Sequence, residues 1–472
     1  MNLYNFMKKI IQFELNEVPM RVIKDFCLHN PYSSFAKIYN NSKKIETFAN
    51  DQGHLSPWVT WPTIHRGINN EKHTIGFFGQ NLEEIDNEFP PLWNILRASN
   101  IDVGMFGSLH SYPLPKELNN FKFYVPDTFA NGPECFPKNI SYFQDFNLKM
   151  VDVSNRNVQS KLPIKEALKF SMNFYKLGIS NKTIFDITSQ IFKEKAIKER
   201  VVRRRSLQAQ ISFDIFYKNL LTFKPTYSTF FTNHVASAQH RYWLAKYPND
   251  YKNILYDDSW IEKYNHEIDY AMQTADKFLK KIISFINNNN DYQLLLLSSM
   301  GQEATDNTNP VRSQLYIDDF DRFMSFLNFQ SNDYSKKRSM LPQINFTLNK
   351  NIDELCAKLN KFRINGELIQ YDINENFCSI SVGHENLKIN EIHISYDNEV
   401  INHEFVGFKN ILVQDEANTT AYHMPMGILF SYPNYNNEEP ISQISTTEIA
   451  PSILNNFNVQ RLDYMSKPIK FY

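Results

Sequence analysis

Strand-like apolar runs alternate with helical segments along most of the chain, and this alternation limits the possible folds more than any other feature. The run KKIIQFEL (8–15) leads into a segment of helical periodicity, and TYSTFF (226–231) and YQLLLL (292–297) each end in a polar exit. Parallel strands joined by helices produce this pattern, because the helices cover both faces of the sheet. The sequence therefore predicts an α/β fold with a mostly parallel central sheet and helices on both faces.

Two stretches interrupt the alternation and indicate how the chain is divided. With 472 residues, the chain can form one large α/β domain with insertions or two domains. We predict that residues 1–334 and 416–472 form the α/β core, which includes a charged helical insertion at 155–225. The alternating pattern of 335–415 predicts a small α+β insert, or cap, between two core strands.

The overall charge gives the chain no general attraction to anionic partners. The formal net charge is −1, so no overall field attracts nucleic acid or an anionic membrane. The basic run Lys198–Arg205 is interpreted as a solvated helix face, with a polyanion contact as the alternative. The sequence contains no apolar segment long enough to span a bilayer, and we expect no nucleic-acid partner.

The cysteines and the N-terminal residues indicate the compartment. The four cysteines, at 27, 135, 356 and 378, form no CxxC pair, which predicts isolated buried thiols rather than a disulfide framework. The N-terminal stretch has its charges in the wrong place for a signal peptide. We therefore predict a cytoplasmic protein, and the abundance of Asn, Lys and Ile is typical of a low-GC bacterial genome.

Polar residues that follow the predicted strands are the candidates for a binding site. In parallel sheets, ligands lie at the carboxyl ends of the strands. The residues at these exits are Asn16, 233–240, 298–303 and 422–425.

The order of the segments resembles the alkaline phosphatase superfamily, in particular its phosphodiesterase/nucleotide pyrophosphatase and sulfatase-like branches. The segments are ELNEVP, TWPTIHRGINNEKHTI, TNHVASAQHRYW, LLLLSSMGQ, YHMPMGILF and STTEIAPSIL, and together they extend over nearly the whole chain. The resemblance implies an alkaline phosphatase-like fold and chemistry at phosphate or sulfate esters.

The resemblance also implies a threonine nucleophile. Thr60 stands in the nucleophile-x-Pro position of the sequence Thr-Trp-Pro. The span from Thr60 to Gly67 is shorter than usual by about one helical turn, which leaves Thr63 as a rival. The alternative is that these threonines only cap a helix, since Thr is favoured there.

The resemblance implies six protein ligands to two metal ions, but few ligand-type residues remain. The implied positions are Asn16, Ala236, His240, Ser299, Met300 and His423. Two divalent cations need carboxylates between them, so we expect at most one ion, Zn or Mn. His240 and His423 are its predicted ligands, and Glu17 is the third, with Glu14 and Glu303 as alternatives.

Metal-free chemistry is also consistent with these residues. Arginine binds phosphate bidentately, so Arg66 and Arg241 are candidates for holding the substrate. A threonine hydroxyl needs a general base, for which His65, His240 and His423 are candidates. Asn16, Ser299 and Gln302 complete the predicted substrate contacts. The structural alternatives are that Arg66 pairs with a carboxylate and that His240 is a satisfied core histidine.

Two functions follow from these residues. The first is a phosphate- or sulfate-ester hydrolase or transferase, acting on a small-molecule, nucleotide- or glycan-linked ester. The second is a catalytically inactive pseudoenzyme that binds a phosphorylated or glycan ligand; Ala236 and Met300 support it, because neither can ligate a hard cation. A purely structural subunit of a biosynthetic complex is the third alternative.

Overall fold

A twisted sheet of eight strands lies at the centre of the chain. The computed structural model describes residues 7–77, 79–153, 164–306, 309–339, 342–388, 391–434 and 443–470. In spatial order the strands are β20 (Gln443–Ser445), β2 (Lys43–Phe48), β19 (Met426–Tyr432), β6 (Tyr292–Leu297), β1 (Lys9–Leu15), β5 (Tyr227–Thr232), β3 (Val103–Phe106) and β4 (Phe123–Val125). Strand β19 is antiparallel to both neighbours, and the other neighbouring pairs are parallel. The predicted mostly parallel sheet is confirmed.

Side chains of β1 alternate between the two faces of this sheet. Ile11 and Phe13 belong to one apolar cluster, and Ile10 belongs to the cluster on the other face. By the two-residue period of a strand, Gln12 and Glu14 share the face of Ile10, although both are fully buried. The polar side chains of Gln12 and Glu14 thus lie on the second face of the sheet, under the helix that follows β2.

Helices cover both faces. They are α1 (Met20–His29), α2 (Ser34–Asn41), α3 (Pro57–Arg66), α4 (Asn70–His73), α5 (Glu83–Glu88), α6 (Leu92–Ala98), α7 (Ser141–Val153), α8 (Ile164–Ser171), α9 (Phe174–Leu177), α10 (Asn181–Ala196), α11 (Arg204–Phe223), α12 (His234–Lys246), α13 (Asp258–Tyr264), α14 (Glu267–Asn287), α15 (Phe320–Phe326), α16 (Ile352–Leu359) and α17 (Ile449–Asn456). Helices α1, α2, α11, α12 and α14 pack on one face, and α3, α6 and α17 pack on the other. Helices on both faces explain why β1 and β6 are almost entirely buried. No helix among the described residues is both long and apolar enough to cross a membrane.

The helical insertion predicted at 155–225 is described from residue 164 onward, and residues 154–163 lie outside the described ranges. Its basic run corrects the interpretation as a solvated face. Arg203 pairs with Glu267 at 2.6 Å, and Arg204 pairs with Glu194 at 2.6 Å. These arginines are mostly buried, so much of the run joins helices to one another instead of facing solvent.

Antiparallel strands occupy residues 313–412, and we call this region the cap. Its strands are β8 (Ser313–Ile317), β9 (Tyr334–Lys337), β10 (Gln343–Leu348), β11 (Phe362–Ile364), β12 (Glu367–Leu368), β13 (Gln370–Asn374), β14 (Phe377–Ser381), β15 (Ile394–Tyr396), β16 (Glu399–Ile401) and β17 (Phe408–Leu412). Strand β8 pairs with β17 and closes the cap. The cap has its own apolar core, which begins at Leu315 and ends at Phe408.

The segment TAYHMPMGILFSY does not form one strand. Pro425 separates β18 (Ala421–Met424) from β19, because proline lacks the N–H that a continuous central strand would need. Strand β18 pairs antiparallel with β7 (Gly301–Ala304) in a two-stranded sheet outside the central one. This separation positions residues 421–424 above the sheet edge.

The 3₁₀ turn Thr446–Glu448, which leads directly into α17, begins with a capping box that generates a stability prediction. The backbone N–H of Ser445 donates to Glu448 Oε2 at 2.7 Å, and the Ser445 hydroxyl accepts from the N–H of Thr447 at 3.2 Å. We expect Ser445→Ala to lower the free energy of unfolding by about 1 kcal/mol, measured by urea denaturation. Thr222→Ala, at an exposed site within α11, is the control and should cause no loss, because alanine favours helices. Equal losses in both variants would contradict the assignment.

Candidate functional site

Three ligand-type side chains meet beyond the carboxyl ends of β1 and β5. Glu17 follows β1, His240 lies on α12 directly after β5, and His423 lies on β18. The Nε2 atoms of His240 and His423 lie 2.8 and 3.3 Å from Glu17 Oε2. One donor atom from each residue falls within 4.8 Å of the others, which is close enough for a shared metal ion. The Glu17 side chain is 3% exposed and that of His240 is 25% exposed, so the group is open on the side of His240.

The local backbone explains how Glu17 reaches this position. Glu17 has a left-handed conformation with φ of 56°, which turns the chain sharply between β1 and α1. Its carbonyl oxygen accepts a hydrogen bond of 2.9 Å from Gln239 Nε2 on α12. The turn and this bond hold the carboxylate against the helix that carries His240.

Hydrogen bonds fix the orientation of both imidazoles. His240 Nδ1 lies 2.8 Å from the carbonyl oxygen of Ala421, and His423 Nδ1 lies 2.7 Å from that of Leu55. A carbonyl oxygen can only accept, so each Nδ1 carries a hydrogen and donates it. In the neutral rings, the Nε2 lone pairs therefore face the Glu17 carboxylate, which is also an acceptor. The arrangement requires a cation between them, either protons or a metal ion.

The electrostatics of the group agree with this requirement. Burial alone would raise the pKa of Glu17, but the two imidazoles hold its pKa well below the ordinary value. Burial alone would lower the pKa of His423, yet the Glu17 carboxylate raises this pKa overall. Both shifts reflect a carboxylate that is stabilised by positive charge in a site with little water.

Amide side chains surround the carboxylate. Asn16 Nδ2 lies 2.8 Å from Glu17 Oε1 and 2.7 Å from Asn233 Oδ1, and Gln302 Nε2 donates to Glu17 Oε2. Asn16 Oδ1 accepts from Trp61 Nε1 at 2.7 Å. Asn16 and Gln302 were predicted site residues, and the structure brings both next to Glu17. Trp61 is a partner of this group that the sequence pattern does not predict, although it lies in the same motif as Thr60.

Thr60 lies on α3, the helix that Trp61 joins to Asn16. Its hydroxyl donates to Ser299 Oγ at 2.8 Å, just beyond β6, and the residue is fully buried. Thr60 and Ser299 thus form a hydroxyl pair at the edge of the sheet where β1 and β6 end. Near the two site histidines, the Tyr422 hydroxyl lies 2.8 Å from His54 Nε2.

Thr63 occupies a separate buried pocket. Its hydroxyl lies 2.5 Å from Asp51 Oδ1 and 3.0 Å from His73 Nε2. The N–H of Ile75 donates to His73 Nδ1, so the ring hydrogen is on Nε2 and points at Thr63. Burial lowers the pKa of His73 to about 3, so this ring stays neutral. The Thr63 hydroxyl is therefore fully engaged as donor and acceptor.

His65 and Arg66 point into the core under α3 and do not reach the Glu17 group. His65 Nε2 lies 2.8 Å from Glu14 Oε1, and both side chains are fully buried. Arg66 pairs with Asp86 at 2.5 Å, and its side chain is also fully buried. Arg66 is thus paired with a carboxylate, which was the structural alternative to binding a phosphate.

Arg241 is adjacent to His240 in sequence but faces the other way. Its guanidinium donates to Asp415 Oδ2 at 3.0 Å, and the hydroxyl of Tyr242 donates to the same oxygen at 2.7 Å. Successive helix positions are about 100° apart, which separates the two side chains. Arg241 therefore joins α12 to the segment before β18.

Comparisons with known proteins give distant similarities in fold. No family model matches the sequence, and no curated protein matches it. An inactive variant of murine ectonucleotide pyrophosphatase/phosphodiesterase 5 in complex with AMP is 10% identical, with a TM-score of 0.40 and 98% of this chain and 97% of that chain covered. Phosphonoacetate hydrolase from Sinorhizobium meliloti in complex with phosphonoacetate is 10% identical, with a TM-score of 0.41 and coverages of 95% and 96%.

The pocket of Thr63 generates a pH prediction. Burial raises the pKa of Asp51 to about 6, whereas an unfolded aspartate titrates near 3.9. The unfolded chain therefore loses this proton first, and the free energy of unfolding falls as pH rises from about 4 to 6. Asp51→Asn keeps an acceptor for Thr63 and removes the titration, so it should be more stable than the native protein by about 1–3 kcal/mol at pH 7 and similar at pH 4.

Urea denaturation between pH 4 and 7 measures this difference. Asp291→Asn is the matched control, because Asp291 is exposed and pairs with Lys9 at the surface. The control should keep the native pH slope. A native slope in Asp51→Asn as well would contradict the prediction.

Proposed function

We propose that this chain is a phosphate- or sulfate-ester hydrolase or transferase that uses one divalent metal ion held by Glu17, His240 and His423. The observation that carries the proposal is the convergence of two imidazole lone pairs and a carboxylate on one point. The ring orientations support it, because both Nδ1 atoms are bonded to backbone carbonyls and leave Nε2 for a ligand. Two histidines and one carboxylate form a known catalytic zinc set with an open position.

The donor set fits Zn or Mn better than a hard alkaline-earth ion. Imidazole nitrogen suits zinc and related transition metals, whereas Mg and Ca prefer oxygen ligands. When bound, such an ion would act as a Lewis acid toward a phosphoryl or sulfuryl oxygen. Asn16 and Gln302 orient the carboxylate by donating to its oxygens.

The neighbouring residues support one ion rather than two. Ala236 and Met300 are fully buried and offer no oxygen, and Ser299 is neutral. Asn16 uses its amide oxygen for Trp61 and its amide nitrogen for Glu17 and Asn233. A second divalent ion would have no carboxylate to offset its charge here.

Thr60 is the better candidate for the nucleophile. Its hydroxyl is held at the strand edge by Ser299, whereas that of Thr63 already donates to Asp51 and accepts from His73. In the proposed reaction, Thr60 Oγ would form a bond to phosphorus or sulfur while the ester oxygen leaves, and a base would take the Thr60 proton. Water as the acceptor of the resulting group gives a hydrolase, and a sugar hydroxyl gives a transferase.

A pseudoenzyme that binds a phosphorylated or glycan ligand is the second candidate. The complete burial of Thr60 and the replacement of ligands by Ala236 and Met300 favour it. Such a protein would keep the Glu17 group for binding and would not turn over an ester.

Metal binding tests the Glu17 group. We expect purified protein to contain about one ion per chain by elemental analysis. In calorimetric titrations with Zn²⁺ or Mn²⁺, Glu17→Gln should weaken binding by more than about 100-fold, since loss of an outer partner alone costs 10–100-fold. Glu303→Gln is the matched control, because Glu303 lies on the adjacent strand β7 and is exposed. Two ions per chain, or an equal loss in the control, would contradict the proposal.

Turnover tests the threonine. With p-nitrophenyl phosphate and bis-p-nitrophenyl phosphate, Thr60→Ala should lower kcat by about 1,000-fold or more, and a chelator should have a similar effect. Thr63→Ala should keep kcat and lower the free energy of unfolding by about 1–3 kcal/mol, because Asp51 loses the Thr63 hydroxyl and keeps only the N–H of Asn70 as a donor. Loss of turnover in Thr63→Ala alone would reverse the assignment. Phosphate binding without turnover in the native protein would favour the pseudoenzyme.

A further inference from the structure

Helix α10 carries an apolar stripe on its outer face. Ile184, Phe185, Ile191 and Phe192 are exposed, and the two phenylalanines are 71% and 66% exposed. Their positions repeat at intervals of seven residues, which places them on one side of a helix. The opposite side packs inward, where the Thr183 hydroxyl donates to Asp214 on α11. The stripe is thus a distinct surface of a well-packed helix.

Other parts of the helical insertion also expose large apolar side chains. Leu168, Met172, Tyr175 and Ile197 are also exposed, with Tyr175 at 94%. Together with the four residues of α10, they form what we call the insertion surface. Large exposed apolar surfaces on soluble domains mark contacts with other molecules.

The charges on this surface have one sign. Between Leu168 and Lys198, the exposed charged residues are Lys169, Lys176, Lys182, Lys193, Lys195 and Lys198. The acids of α10 point inward: Asp186 accepts from Gln210 at 2.9 Å, and Glu194 pairs with Arg204 at 2.6 Å. The acidic side chains of α10 are therefore directed into the fold, and the exposed charges around the apolar stripe are those of lysines.

We propose that the insertion surface docks on an anionic lipid bilayer. Apolar side chains with surrounding lysines are the composition of helices that lie in a membrane interface. Each lysine adds electrostatic attraction to anionic headgroups. A second copy of this chain fits less well, because a two-fold dimer would bring the same lysines against each other. This inference does not depend on the proposed catalytic function.

Vesicle cosedimentation tests the proposal with the full chain. Binding should be strong to phosphatidylcholine vesicles that contain phosphatidylglycerol and weak to phosphatidylcholine alone. Replacing Lys182, Lys193 and Lys195 by Gln should weaken binding about 100-fold, since each lysine contributes about fivefold. The matched control replaces Lys361, Lys388 and Lys409 in the cap, which have similar exposure and charge, and it should bind as the native protein does.

A second pair of variants tests the apolar contribution. The double variant Phe185→Glu/Phe192→Glu should lose vesicle binding, while Phe405→Glu/Leu412→Glu, at exposed cap positions, should keep it. All four substituted side chains are exposed, so the thermal midpoints should stay close to native. Equal binding by both double variants would overturn the proposal. Binding that is equally strong with and without phosphatidylglycerol in the vesicles would also overturn it. Self-association that Phe185→Glu/Phe192→Glu abolishes, without any vesicle binding, would identify a second copy instead.

Discussion

The contact between the Glu17 carboxylate and two imidazole nitrogens is the interaction on which the site depends. Both histidines donate Nδ1–H to backbone carbonyls, so their Nε2 atoms and the carboxylate would repel one another without a cation. Protons or a metal ion between these atoms would satisfy this requirement. The same contact joins the end of β1 to α12 and β18. The residues that form the site therefore also hold these three elements together.

Much of the fold and part of the site follow from the sequence pattern. The alternation of apolar runs and helices predicts parallel strands, whose carboxyl ends meet at one edge. Glu17 and His240 follow β1 and β5, which are neighbours in the sheet, so their proximity is a consequence of strand order. His423 is different, because it lies on a strand of another sheet. The strand pattern pointed only to the range 422–425, and the resemblance to a known superfamily singled out His423 within it.

Other features depend on partners that are distant in sequence. Thr60, Thr63 and Arg66 share one helix, and nothing local shows that Asp51 and Asp86 engage the last two. The start of the cap is set by pairing of β8 with β17, whose residues are far apart along the chain. Local periodicity identifies a strand but not its partner, so the pairing of β8 with β17 does not follow from the pattern of either segment.

An amide at position 16, where the resemblance implies a metal ligand, is consistent with the rest of the site. A carboxylate at this position could not donate to Glu17 Oε1 and would bring a second negative charge within about 3 Å of the first. The amide instead donates to Glu17 and accepts from Trp61, which connects α3 to the end of β1. Asn16 thus gives the site two hydrogen bonds and adds no second negative charge. One carboxylate with two neutral imidazoles can offset part of the charge of a single divalent ion. The group has no further negative charge to offset a second ion.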